Sequence, residues 1–227
     1  MTLPGDPSPT SAPEPAGGPT AYDGGAKKDL RRRLRAARAA RSAEDRERVA
    51  SALAVRIATV NEVAEMVADG GGVLAAYASL GDEPGTGPLR SLLALSGVRV
   101  LLPVIRDDGG LDWGWDSDDL VPRVHRLAIP EPAADHALGT GAAGLAASGC
   151  SVVLVPALAV GLDGYRLGQG GGYYDRLLAD VPAHAGGGPL RVAVVHDDEV
   201  LDTVPHEPHD RAVDAVLTPT TYRRLSG

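Results

Sequence analysis

Arg166-Leu167-Gly168-Gln169-Gly170-Gly171-Gly172-Tyr173-Tyr174-Asp175 follows closely on the apolar run Val152–Pro156, and reading the two segments together decides the fold. Val152–Pro156 has the character of a buried strand. The glycines after it leave the backbone free of Cβ atoms, so N–H groups can close on an anion. A helix opening at Tyr173 would aim its unpaired N–H groups and the positive end of its dipole at the same point. Arg166 adds charge-assisted donors, and Asp175 offers a hard oxygen suited to Mg²⁺ beside phosphates. Strand, glycine loop and helix in that order outline a nucleotide site. The loop is not a Walker A sequence, since no Gly-Lys-Ser/Thr follows, nor is it G-x-G-x-x-G followed by a distant acid. A plain surface turn, the common fate of Gly-rich sequence, rarely carries Arg, Tyr, Tyr and Asp at its edges.

Outward from this segment, strand and helix signals alternate. Val73–Tyr77, Val98–Ile105, Leu111–Trp115, Leu190–Val195 and a final Ala215–Thr218 read as strands, and Pro88–Leu95 and Tyr173–Ala179 as helices. A first helix is predicted over 27–41, with Leu30, Leu34 and Ala37 on one face. Ser42 and Asp45 resemble a capping box opening a second helix, whose Val49, Leu53, Ile57, Val60, Ala64 and Val67 recur at helical spacing until Gly70-Gly71-Gly72. Residues 116–149 are rich in Pro and Gly, with a short strand or two and a loose Gly139–Gly149 segment. The alternation predicts an α/β domain of three layers, a mostly parallel sheet flanked by helices, with ligands gathered at the carboxyl ends of the strands. Residues 1–25 lack apolar anchors and are expected to form a disordered tail, leaving 26–227 as a single domain.

Composition narrows the function classes. No apolar run approaches the roughly 20 residues of a membrane helix, and the N-terminus lacks a signal-peptide pattern. One cysteine, Cys150, excludes an internal disulfide and fits a reducing, cytoplasmic setting; leading into an apolar run, it reads as a packing residue. The net charge of −8 is unevenly spread. Residues 27–48 hold ten basic and four acidic side chains, so the remainder of the chain carries twelve basic and twenty-six acidic. Such an acidic body argues against broad nucleic-acid binding. The basic segment is then a local anion site or a solvated helix face. Lys27 and Arg31, four apart, share one side of a helix; the solvated reading is kept for Arg32, Arg33, Arg35 and Arg38.

The central segment resembles the signature of the 5-formyltetrahydrofolate cyclo-ligases, also called 5,10-methenyltetrahydrofolate synthetases. The resemblance runs over roughly residues 26–219. It includes Val155-Pro156-Ala157-Leu158-Ala159-Val160, Gly164 to Leu178, Lys27-Lys28-Asp29-Leu30-Arg31, Tyr77 to Thr86, and Pro205-His206-Glu207-Pro208-His209-Asp210. It implies a NagB/RpiA-like fold and ATP-dependent conversion of 5-formyltetrahydrofolate to 5,10-methenyltetrahydrofolate with release of ADP and phosphate. By the same resemblance Lys27, Arg31, Arg166, Leu167, Gly168, Gln169, Gly170, Gly171, Gly172, Tyr173 and Tyr174 bind ATP. Glu83 and Arg31 face the folate, and Asp175 and Asp210 hold Mg²⁺. Gln169 departs from the family pattern, where an aromatic or basic residue is common. The expected protein is a cytoplasmic monomer whose partners are ATP and 5-formyltetrahydrofolate, with no nucleic acid and no membrane.

Two other readings stay open on the residues alone. A sugar-phosphate isomerase-like enzyme on a similar fold would use the glycine loop without ATP. A noncatalytic anion- or nucleic-acid-binding module would use the basic segment and leave Asp175 and Asp210 unexplained. His206 and His209 lack the further ligands of a zinc site and read as loop residues shaping the metal site. Trp113 and Trp115, alternating along one strand, are expected to pack in the core.

Overall fold

The computed structural model describes residues 24–117, 120–122, 130–132 and 137–225. The proposed tail therefore lies outside the described residues, except that Gly24 and Gly25 already belong to the first helix. Six helices are described: α1 (Gly24–Ala39), α2 (Ala43–Arg56), α3 (Asn61–Ala68), α4 (Gly87–Leu95), α5 (Gly141–Ser148) and α6 (Tyr173–Asp180). The main sheet contains β1 (Gly72–Ala75), β2 (Val98–Ile105), β3 (Leu111–Trp115), β6 (Ala137–Thr140), β7 (Val152–Pro156), β10 (Leu190–Val194), β12 (Ala215–Leu217) and β13 (Tyr222–Arg224). Two short pieces, β4 (Val121–Pro122) and β5 (Pro130–Glu131), form a ribbon of their own. A small three-stranded sheet is built from β8 (Ala159–Gly161), β9 (Arg166–Leu167) and β11 (Val200–Leu201).

The main sheet runs β13-β12-β10-β7-β1-β2-β3-β6. Its central strands, β12 to β2, pair in parallel, while β13, β3 and β6 add antiparallel edges. Alternation along each central strand feeds two cores. Val152 and Leu154 of β7 join Leu53, Val63, Met66, Leu89 and Leu93 from α2, α3 and α4. Val153 and Val155 join Leu145 of α5 and Leu177 and Leu178 of α6 on the opposite face. The result is the three-layer, mostly parallel α/β arrangement that the sequence predicts. Helix α1 lies apart from both cores and packs Leu30 and Leu34 on Ala159, Leu167 and Val204 around the small sheet.

The predicted single helix to Val67 is broken. A 3₁₀ turn, Ile57–Thr59, separates α2 from α3. The tighter turn shifts the phase of the buried face, so Val60, Val63 and Met66 are inside and Val67 is 42% exposed. In α1 the buried position after Leu34 is Arg38 rather than Ala37. The segment expected to be loose, Gly139–Gly149, is the end of β6 followed by α5, which stops at Gly149 in the left-handed region (φ 73°). A Cβ at Gly144 would lie 2.9 Å from the Gly139 carbonyl oxygen, so the glycines there serve close packing rather than looseness. The strand at Ala215 is not the last, since β13 follows it. Trp113 is fully buried and donates from Nε1 to the Gly141 carbonyl at 2.9 Å. Trp115 is half-buried with Arg99 stacked 4.2 Å from its ring centre. Cys150 packs against the second core, and burial pushes its thiol up to about 12, so it is not a nucleophile at neutral pH.

Candidate active site

The carboxyl ends of β1, β2 and β7 open into a cavity of about 840 Å³. Tyr77, Ile105 and Pro156 form its floor, α1 and the glycine loop its walls. Every residue proposed for the site lines this one cavity: Lys27, Arg31, Glu83, Arg166 to Asp175 and Asp210. Residues as distant in sequence as Lys27 and Asp210 meet because α1 packs on the small sheet and Val204, next to the 205–211 loop.

The glycine loop leaves β9 and enters α6. Gly170 and Gly172 have φ of 106° and 68°, positions that favour glycine. Among the described residues no backbone N–H from Gly168 to Gly172 donates a hydrogen bond, and α6 opens at Gly172 without a side-chain cap. Unpaired N–H groups leading into a helix N-terminus are what an anion requires. From α1, Arg31 Nε donates to the Gly168 carbonyl at 2.9 Å. Arg166 is buried under the loop, where it donates to the Arg211 carbonyl at 2.7 Å and lies 3.0 Å from Asp175 Oδ1.

The two carboxylates are tied to one another through the 205–211 loop. Arg211, next to Asp210, donates its N–H to Asp175 Oδ1 at 3.1 Å. Asp210 Oδ2 accepts from Lys27 Nζ at 2.5 Å and from the Glu207 N–H at 2.6 Å. Burial alone would raise Asp210, but these donors outweigh it and hold the carboxyl below its usual range. Lys27 is 7% exposed and also lies 3.3 Å from Glu207. The two histidines separate. His209 lines the cavity 3.3 Å from Glu207, whereas His206 stacks on Tyr165 with ring centres 3.7 Å apart. Among the described residues no group of three or more His, Cys, Asp or Glu is placed to hold a metal by itself.

Across the cavity, Glu83 sits in a turn held by its own hydrogen bonds. Leu80 N–H donates to Glu83 Oε2 at 3.0 Å, Tyr77 hydroxyl to the Pro84 carbonyl at 3.1 Å, and Thr86 Oγ1 to the Tyr77 carbonyl at 2.5 Å. Burial raises the Glu83 carboxyl above its ordinary value, against the Leu80 hydrogen bond and the Arg38 charge. The Tyr174 hydroxyl is enclosed and, among the described residues, has no hydrogen-bond partner. Burial lifts its pKa well above that of a free phenol, so it remains a neutral donor. An enclosed hydroxyl facing the same space as a carboxylate suits a polar ligand edge.

Of the arginines assigned to a solvated face, Arg38 is buried, and Arg35, exposed as expected, nonetheless bonds the glycine loop. Arg38 is 1% exposed and makes a two-pronged pair with Glu199 at 2.7 Å on each prong, plus a 2.6 Å bond to the Ala157 carbonyl. Arg35 reaches the glycine loop and bonds Gln169 twice. The signal for Arg35 is its spacing: it lies four residues after Arg31 and eight after Lys27, on the same helical face. Arg32 pairs with Asp29 in solvent, and Arg33 is exposed, as the sequence suggests.

Against known proteins, the model of the 5-formyltetrahydrofolate cyclo-ligase family matches residues 23–219. The chain belongs to the 5-formyltetrahydrofolate cyclo-ligase family. A family member from Mycolicibacterium smegmatis, named 5-formyltetrahydrofolate cyclo-ligase, is 43% identical over 155 residues, covering 66% of this chain and 74% of the relative. The Escherichia coli K12 cyclo-ligase is 32% identical over 152 residues, 65% of this chain and 78% of its own. Among solved structures, the 5,10-methenyltetrahydrofolate synthetase of Aquifex aeolicus superposes with a TM-score of 0.70 at 25% identity, covering 88% of this chain and 93% of that one. The three-layer fold described above is thus a cyclo-ligase fold. No described helix is long and apolar enough to cross a membrane.

Proposed function

We propose that the protein converts 5-formyltetrahydrofolate and ATP to 5,10-methenyltetrahydrofolate, ADP and phosphate. The observation that carries this reading is the loop Gly168–Gly172. Its N–H groups are unpaired among the described residues, and it shares one cavity with Lys27, Arg31, two carboxylates and, opposite, Glu83. Family membership supplies the substrates by analogy, and the cavity supplies groups of the right chemistry for each.

The formyl oxygen is a poor leaving group and N10 a modest nucleophile. In the reaction we propose, the formyl oxygen takes the γ-phosphoryl group and ADP departs. N10 of the same molecule then attacks the activated carbon, gives up its proton to solvent, and phosphate leaves with the former formyl oxygen. The protein forms no covalent bond in this sequence. Its residues align the two substrates and offset charge: the loop N–H groups and Arg31 at the phosphates, and Glu83 with the Tyr174 hydroxyl at the polar folate edge.

The donor set also fits Mg²⁺. The hydrogen bonds to Asp175 fall on Oδ1 and those to Asp210 on Oδ2, with the exposed His209 Nε2 3.8 Å from Asp210 Oδ1. Each carboxylate therefore keeps a second hard oxygen outside those hydrogen bonds, which would suit a divalent cation. Bound there, the ion would neutralise phosphate charge. Lys27, already on Asp210, would hold that carboxylate ionised and in place. ADP release that depends on added 5-formyltetrahydrofolate tests the proposal; no ADP release with the folate, together with ATP-independent conversion of a sugar phosphate or with no turnover at all, would favour the isomerase-like or binding-module readings instead.

A further inference from the structure

Arg35 takes no part in the reaction as outlined, yet it makes two bonds to a single loop residue. Its Nε donates to Gln169 Oε1 at 3.0 Å, and its Nη2 to the Gln169 main-chain carbonyl at 2.7 Å. One turn earlier, Arg31 holds the Gly168 carbonyl. Two successive carbonyls of the loop are thus drawn toward α1. In a planar trans peptide a carbonyl and the N–H after it point in opposite directions. The N–H groups of Gln169 and Gly170 are therefore turned away from the two guanidiniums. Gly170, at φ 106°, occupies backbone space where glycine rotates with little steric resistance. No hydrogen bond from the N–H groups of Gly168–Gly172 to the described residues restrains this peptide, so the guanidinium supplies the restraint.

The side chain of Gln169 joins the same contact: its Oε1 accepts from Arg35 Nε, so one guanidinium holds both the side chain and the main chain of this residue. We propose that Arg35 is a positioning residue of the reaction: it sets the direction of the Gln169–Gly170 peptide beside the nucleotide. The identity of that ligand rests on the cyclo-ligase reading.

The test uses the full chain and Arg35→Ala, Arg35→Lys and Gln169→Ala, with the exposed Arg33→Ala as control. ATP affinity is measured by calorimetry without folate, alongside steady-state kinetics. Arg35→Ala should weaken ATP in both Kd and KM by about five- to ten-fold, the scale of one solvent-exposed charge-assisted hydrogen bond, with kcat within about two-fold. Arg35→Lys should recover most of that loss, because an ammonium still bonds a carbonyl. Gln169→Ala removes the Oε1 bond but keeps the main-chain carbonyl, so it should lose clearly less ATP affinity than Arg35→Ala. Arg35→Ala matching Arg33→Ala in ATP affinity overturns the proposal, as does a variant that melts earlier with ATP affinity unchanged. If the unaltered chain forms no methenyl product, the cyclo-ligase reading fails, while the calorimetric series still decides Arg35. Absence of ATP binding by the unaltered chain overturns both.

Discussion

Arg38→Met removes one side of the buried pair that fastens the last turn of α1 to the body of the protein. Arg38 and Glu199 are 1% and 2% exposed at their side chains, and both prongs are 2.7 Å long. Glu199 also accepts the His196 N–H at 2.8 Å. Without Arg38 its carboxylate is buried with one main-chain donor in place of three. Breaking a buried pair from one side costs about 3–5 kcal/mol, and a chain of this size loses about 2–4 °C per kcal/mol. The expected fall in melting temperature is therefore about 6–20 °C for Arg38→Met, with Glu199→Gln falling in the same direction. The double variant leaves no uncompensated charge, so it should lose clearly less than the sum of the two. Thermal unfolding of the four proteins followed by circular dichroism measures this. Single variants that melt within about 2 °C of the parent, or strictly additive losses, would refute the claim that this pair anchors α1.

Three further outcomes follow from the site and its surroundings. Asp175→Asn and Asp210→Asn should still fold, melting earlier for loss of the Arg166 and Lys27 pairs, yet need much more Mg²⁺ for turnover, with the double variant losing less than the sum; titrating turnover against Mg²⁺ checks this, and unchanged dependence in both contradicts the metal assignment. Glu83→Gln should raise KM for 5-formyltetrahydrofolate about ten-fold or more while calorimetric ATP affinity stays within about two-fold, separating the folate side of the cavity from the nucleotide side. His196 is 2% exposed, and burial holds its pKa below the ordinary value, against the field of Glu199 and with that of Arg41 and Arg38. The unfolded chain then binds the proton first, so stability should fall as pH drops from about 6.5 toward the lower folded value. Melting at about pH 7.5 and about pH 5.5 should show a smaller difference in His196→Gln than in the parent.

The parallel strands were readable because they are short, dense in Val and Leu, and bounded by Gly and Pro; Val98–Ile105 and Val152–Pro156 match to the residue, as does the antiparallel Leu111–Trp115. The α2–α3 break was not, because Val60 and Val67 keep helical spacing through a turn whose tightening leaves no local mark. Helix α5 was hidden by composition: Gly141 and Gly144 lower helix propensity, and the helix is held by packing against β3 and β6. At the site, chemistry-bearing residues were legible where several crowd into one segment, as in Arg166–Asp175. Arg35 and Arg38 were not separated from Arg32 and Arg33, because a charge run does not say which cation finds a partner. That depended on Glu199 and Gln169, each more than 130 residues away.

The most direct measurement follows the near-ultraviolet absorbance of the methenyl product with purified protein, ATP, Mg²⁺ and 5-formyltetrahydrofolate, while ADP is counted in the same samples. A cyclo-ligase forms product only with all three additions present, with ADP and methenyl product rising in equal amounts. Folded protein that forms no methenyl product, or that releases ADP at the same rate without the folate, would contradict the cyclo-ligase reading.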